Sequence, residues 1–179
     1  MVVIDEVVAR LRVALAQAEG PFPAADLPPG LGSRPIPAGV PAAYAAFLRI
    51  CDGASCGHVG EIQLFAATDV EAFQFRPEDE QWLPLPGGLD RWFRFGTLQE
   101  NPLLLDRDTG RVWWFSDLTI VWYTDDPPLR SFAPLADTFD DFFFDVVAGP
   151  GYARVLGPID DEMRSWQALL DRLGLADQN

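Results

Sequence analysis

No lysine occurs in the 179 residues, and histidine appears once, as His58. Thirteen arginines are the whole basic complement against twenty-seven acidic residues, which sets the formal net charge at -14 at pH 7. A chain of this charge repels nucleic acid and anionic membranes, so neither is expected as a partner. Apolar runs stay far short of the roughly 20 residues that cross a bilayer. Asp5 and Glu6 stand where a secretion signal carries positive charge, so no such signal is expected. Cysteine is also scarce, with only Cys51 and Cys56. A disulfide framework is therefore excluded, and a cytoplasmic protein with both thiols reduced is expected. There is no P-loop and no G-x-G-x-x-G, and Gly87-Gly88 lies in a proline-rich stretch without a following helix signal, which leaves nucleotide binding unsupported. Nucleophilic catalysis would have a single histidine as base, and no nucleophile elbow accompanies it.

Hydrophobic residues make up 49% of the chain and aromatics 12%, ample material for a core. At this length folding buries roughly 70% of the unfolded surface. Charge is unevenly placed. Residues 1–60 hold four arginines against five acids, whereas 61–179 hold nine against twenty-two, so the first part carries -1 and the second -13. An electrostatic partner should be basic and should meet the later two-thirds.

Ile4, Val7, Val8, Leu11 and Leu15 recur at helical spacing over residues 2–18, and Gly20-Pro21 ends that helix. The prolines from Pro21 to Pro37 mark an extended surface connection. A second helix begins near Pro41, with Val40, Tyr44, Phe47, Leu48 and Cys51 as its apolar stripe and Asp52-Gly53 as its stop. Alternation at Glu61–Leu64 predicts a strand, and Thr68 a cap for a brief helix through Phe73. Residues 76–90 read as loop. Strands follow at Trp92–Phe95, Leu103–Leu105, Val112–Phe115 and Ile120–Tyr123, the middle two joined by a hairpin over Asp106–Gly110. Thr138 caps a helix whose buried stripe is Phe139, Phe142, Phe143 and Val146, with Asp140 and Asp141 in its first turn. Gly149-Pro150-Gly151 breaks the chain before a last helix from about Asp160, carrying Met163, Trp166, Leu170 and Leu173 and stopping at Gly174. Helices, then strands, then helices define an α+β class, with an antiparallel sheet of about four to six strands flanked by helices.

Val40-Pro41, Tyr44, Phe47-Leu48 and Asp52-Gly53, then a strand and short helix, the D-x-x-x-G turn at Asp106–Gly110, and Thr138-Phe139 with Phe142-Phe143 follow one another in an order that resembles the SUKH superfamily. That group includes the yeast cell-wall assembly regulator and many bacterial immunity proteins. The resemblance spans roughly residues 35–147. It divides the chain into an N-terminal helix and connection over 1–34, a SUKH-like domain over 35–148 and a helical extension over 149–179. It implies a non-enzymatic protein-binding domain, most often a cytoplasmic immunity protein that neutralises a cognate toxin, a nuclease being the commonest kind. It brings no catalytic residue, cofactor or metal. The alternative is a regulatory or scaffolding protein with an endogenous partner.

Several constellations compete with that reading. Cys51, Cys56 and His58 are zinc-ligand types, but C-x4-C-x-H lacks a fourth ligand of the same kind, and buried thiols explain the cysteines equally. Asp106/Asp108, Asp125/Asp126, Asp140/Asp141 and Asp160/Asp161 are paired carboxylates able to hold a cation or move a proton. Each pair also sits at a turn or helix start, where aspartate is favoured for local reasons. On a helical wheel Phe144 falls about 140° from Phe139, between Asp140 and Asp141. An aromatic on an acidic face is either a binding anchor for a basic partner or a residue covered by Trp166 and Leu170 of the final helix. Trp113-Trp114 and Trp122-Tyr123 place adjacent aromatics on opposite faces of a strand, so a second face needs cover or a partner. Asp117, Asp125 and Asp126 rim those strands. The expected partner-binding set is accordingly Phe144, Asp140, Asp141, Trp122, Asp117, Asp125 and Asp126.

Overall fold

Tyr44, Phe47 and Leu48 sit on one face of a helix, and all three are buried. The structure, a computed structural model, describes residues 3–18, 25–81, 83–119, 129–157 and 164–175. Helix α1 (Ile4–Gln17) buries Ile4, Val7, Val8 and Leu11, as its spacing requires. Helix α2 (Ala42–Ile50) starts just after Pro41, which is its N-cap, and ends against the buried Cys51. Strands β1 (Ala54–Cys56), β2 (Ile62–Leu64), β3 (Trp92–Leu98), β4 (Asn101–Asp106), β5 (Val112–Phe115) and β6 (Phe132–Ala136) form a single antiparallel sheet in sequence order. Helix α3 (Phe139–Phe142) runs directly into a π-helical turn (Phe143–Val147), followed by α4 (Gly151–Leu156) and α5 (Arg164–Arg172). The class is α+β. No helix among the described residues is long and apolar enough to cross a membrane.

Successive side chains on a strand face opposite ways, and the sheet uses both faces. Leu103 and Leu105 join the main core with Phe93, Phe95 and the helices, whereas Leu104 joins a second cluster with Leu83, Leu85, Leu89, Trp92 and Phe115. Among the described residues that second face is covered by the 83–89 segment, with Phe75 and Leu129 packed beside it. The adjacent tryptophans follow the same rule, Trp114 entering the main core and Trp113 packing on the second cluster. Between Arg94 and Gly96 the β3–β4 register shifts by one residue. Gly96 has to be glycine here, because a Cβ would come within 2.2 Å of the Gln63 carbonyl oxygen on β2.

Several expectations are corrected. Residues 67–73 form consecutive turns, not a capped helix: the Thr68 hydroxyl donates to Asp69 (3.1 Å), and the Ala67 N–H is taken by Asp52 from across the chain (2.8 Å). Within 76–90, Pro77–Gln81 and Leu89–Arg91 are 3-10 turns. Strands β1 and β6 carry no alternating pattern long enough to be read, and Pro134 within β6 argues against a strand except at an edge. Gly149-Pro150-Gly151 does not break the chain but starts α4, since proline is tolerated where helix N–H groups lack partners anyway. Ile120–Tyr123, Gly20-Pro21, Asp160/Asp161 and Met163 lie outside the described residues.

The hairpin turn is held by one buried carboxylate. Asp106 is 2% exposed and accepts two hydrogen bonds from the Arg91 guanidinium (2.9 and 2.6 Å), one from the Thr109 hydroxyl (2.7 Å) and one from the Asp108 N–H (3.0 Å). The Arg91 pair, followed by the Thr109 and Asp108 bonds, draws its carboxyl down to about 2 from the ordinary 3.8. Because the folded value is depressed, this contribution is complete above pH about 4 and is lost as pH falls through about 2. Asp106→Asn removes the buried carboxylate while Asp108 stays 3.6 Å from the partly exposed Arg91, and is expected to cost about 1–2 kcal/mol in urea denaturation at pH 7. The gap between variant and parent should narrow as pH falls from about 4 to about 2.

Candidate functional site

Three helices converge on one cavity. Helix α3 begins at Thr138, whose hydroxyl accepts the Asp141 N–H (3.0 Å) and donates to the Asp141 carboxylate (2.8 Å). This cap places Asp140 and Asp141 on the first turn, exposed, while Phe139 and Phe142 point into the core. The chain then widens into the π turn, closed by the Ala148 N–H bonding to the Phe143 carbonyl five residues back (2.9 Å). Such turns are rare and concentrate at functional sites. Gly149 allows it, since a Cβ there would stand 2.1 Å from the Phe144 carbonyl oxygen. Asp145 on the same turn is ion-paired with Arg154 of α4.

Phe143 is fully buried, whereas Phe144 is half-buried and meets Phe143 edge-on, with ring centroids 6.0 Å apart. Phe144, Asp140 and Asp141 form one wall of a cavity of about 500 Å³. Its floor is Ala43, Ala46, Phe47 and Ile50 of α2, and its opposite wall is Val3, Ile4 and Asp5 at the start of α1. No described residue of α5 lines this cavity. The helix's Trp166 instead donates to the Val147 carbonyl (3.3 Å) and lies beside Tyr152. No arginine among the described residues pairs with Asp5, Asp140 or Asp141, which leaves three exposed carboxylates around an apolar floor.

The structure thus brings Phe144, Asp140 and Asp141 together and adds Asp5, a residue sequence reasoning assigned only to the polar side of α1. Asp117 lies elsewhere, in a turn where its carboxylate accepts the Thr119 N–H (3.0 Å) and hydroxyl (2.6 Å). Those bonds lower its pKa from the ordinary value. Trp122, Asp125 and Asp126 lie outside the described residues.

The competing constellations are placed as follows. The Cys51 thiol donates to the Gly53 carbonyl (3.0 Å) and is pushed up to about 11 by burial, against the opposing pull of Arg12. Burial pushes Cys56 higher still. Both are thiols, not thiolates, at neutral pH, and so are poor nucleophiles. His58 Nδ1 stands 3.0 Å from the Ser165 hydroxyl, joining the β1–β2 loop to α5, an arrangement that no sequence spacing announces. Beside it the buried Glu61 accepts the Val59 N–H (3.3 Å), and burial followed by this carboxylate raises the Tyr152 hydroxyl well above its ordinary range. No group of three or more histidine, cysteine, aspartate or glutamate residues among the described ones is arranged to hold a metal ion. Neither a scan against protein-family models nor a search of curated proteins finds a match to the chain.

The two neighbouring phenylalanines have opposite roles, and stability separates them. Phe143→Ala empties a fully buried site and is expected to cost about 4 kcal/mol, while Phe144→Ala, at the cavity wall, should cost about 1 kcal/mol. Chemical denaturation of both variants checks the difference; equal losses would place Phe144 in the core.

Proposed function

We propose that this chain is a non-enzymatic protein-binding domain, a cytoplasmic immunity protein of the SUKH type that covers a basic surface or active site of a cognate bacterial toxin, a nuclease above all. One observation carries the reading: Phe144 stands beside three exposed carboxylates, Asp5, Asp140 and Asp141, that form no ion pair among the described residues, at the mouth of an apolar cavity. Half-exposed aromatics are the residue type that anchors protein interfaces, and unpaired charges around them orient the partner. The net charge of -14 adds a long-range field that accelerates encounter with a cationic protein by about 10- to 1,000-fold. Helix α2, the antiparallel strands, the Asp106–Gly110 turn and the Thr138-capped aromatic helix follow in an order that supports the SUKH reading, while turns stand where its short helix is expected. Inhibition by such a protein is steric occlusion, with the field setting the on-rate and buried aromatics the off-rate.

Pull-down of the tagged chain from lysate of its source at low salt, eluted by a salt step, should release a single basic protein that arrests growth when expressed alone. Co-expression of this chain should restore growth. The association rate should fall at least about tenfold between low salt and about 0.5 M salt. A recurring housekeeping partner, with no protection against any toxin, would assign the chain to the regulatory class instead.

A further inference from the structure

Helix α2 has one polar residue, Arg49, in its nine positions, and a helix that is apolar all round requires cover on every side. It does not have it. Ala43 and Ala46 are exposed and Ile50 is half-buried, and together with Phe47 they repeat at i, i+3, i+4 and i+7 along the cavity floor. That is the spacing by which one helix receives another, and the small alanines let a second backbone approach closely.

The walls narrow the choice of occupant. Floor and walls are helical, and helix backbone presents no extended row of N–H and C=O groups to pair with an added strand. Recognition therefore falls to side chains, the helix-in-groove mode. Two helix N-termini open on the cavity, a feature that by itself attracts anions. Here Asp5 and the Asp140/Asp141 pair occupy those first turns with no ion pair among the described residues, and reverse the sign.

Resting on the protein-binding reading, we infer that the cavity receives an amphipathic α-helix of the partner. Its apolar stripe lies on Ala43, Ala46 and Phe144, and arginines or lysines on its two flanks reach Asp5 on one side and Asp140/Asp141 on the other. The two-sided acidic rim makes the charge pattern of the incoming helix as specific as its apolar stripe.

The test uses the full chain and a fluorescent, end-capped peptide of about 18 residues, with leucines at i, i+3, i+4 and i+7, arginines on both flanks and alanine elsewhere. A permuted peptide of identical composition, without the stripe, is the comparison. Anisotropy titrations should show the striped peptide binding at least about tenfold more tightly than the permuted one. Ala46→Trp, which fills an exposed position on the floor, should abolish that preference, Phe144→Ala should weaken it, and Asp90→Asn, outside the cavity, should leave it unchanged. Circular dichroism confirms that each variant is folded. Equal binding of the two peptides, or undiminished binding by folded Ala46→Trp, overturns the inference. Capture of a basic toxin that survives Ala46→Trp overturns the groove assignment while leaving the protein-binding reading standing; capture of no basic protein overturns both.

Discussion

The main core of this fold is organised around the ring of Tyr44. Its hydroxyl donates to the Phe65 carbonyl (2.6 Å) while its ring lies 5.5 to 5.8 Å from those of Phe47, Phe93, Phe95 and Phe139. One side chain thereby joins α2, strand β3 and helix α3, and its single polar atom is satisfied inside the core. Phe139 and Phe142 pack edge-on against Phe95, and Phe139 and Phe143 close on Phe47, so helix α3 cannot shift without unpacking the cluster. Rings in such offset and edge-on pairs add about 0.5–1.5 kcal/mol each beyond the area they bury.

The cavity between α1, α2 and α3 is a by-product of that arrangement. Because Phe47 stacks on Tyr44 and Phe143 closes on Phe47, the alanine side of α2 and the acidic side of α3 are left facing solvent across a gap that α1 only partly closes. The π turn then places Phe144 at the edge of the gap, held from behind by the glycine-lined approach of α4. Charge and shape at the site come from separate causes. Asp5, Asp140 and Asp141 are first-turn residues that the helix dipole favours, and they converge because the starts of α1 and α3 face each other across the cavity over the floor that α2 provides.

How much of this was legible in the residues differs from element to element. Helices α1, α2 and α3, the Thr138 cap and the β4–β5 hairpin could all be read, because each rests on local periodicity or on a single capping or turn residue. Strand β6 could not, since Pro134 speaks against a strand and only the neighbouring β5 supplies the pairing. Helix α4 hid behind Gly149-Pro150-Gly151, a breaker by local rules that becomes a helix start once Tyr152 has a core to enter. The short helix expected at Thr68 is a run of turns, in which the Thr68 hydroxyl goes to Asp69 and the Ala67 N–H to Asp52, fifteen residues before Ala67.

The candidate site divides along the same line. The -14 charge and its weight after residue 60, the acids at the first turn of a Thr138-capped helix and the placing of Phe144 between them are properties of the sequence itself, because composition and helical period are local. The pairing of Asp5 with Asp140 and Asp141, the exposed alanine floor of α2, the widening of α3 at Phe143 and the meeting of His58 with Ser165 belong to the tertiary structure alone. Each joins residues far apart in the chain, and such contacts depend on which faces the aromatic core has already claimed, a condition no stretch of sequence carries by itself.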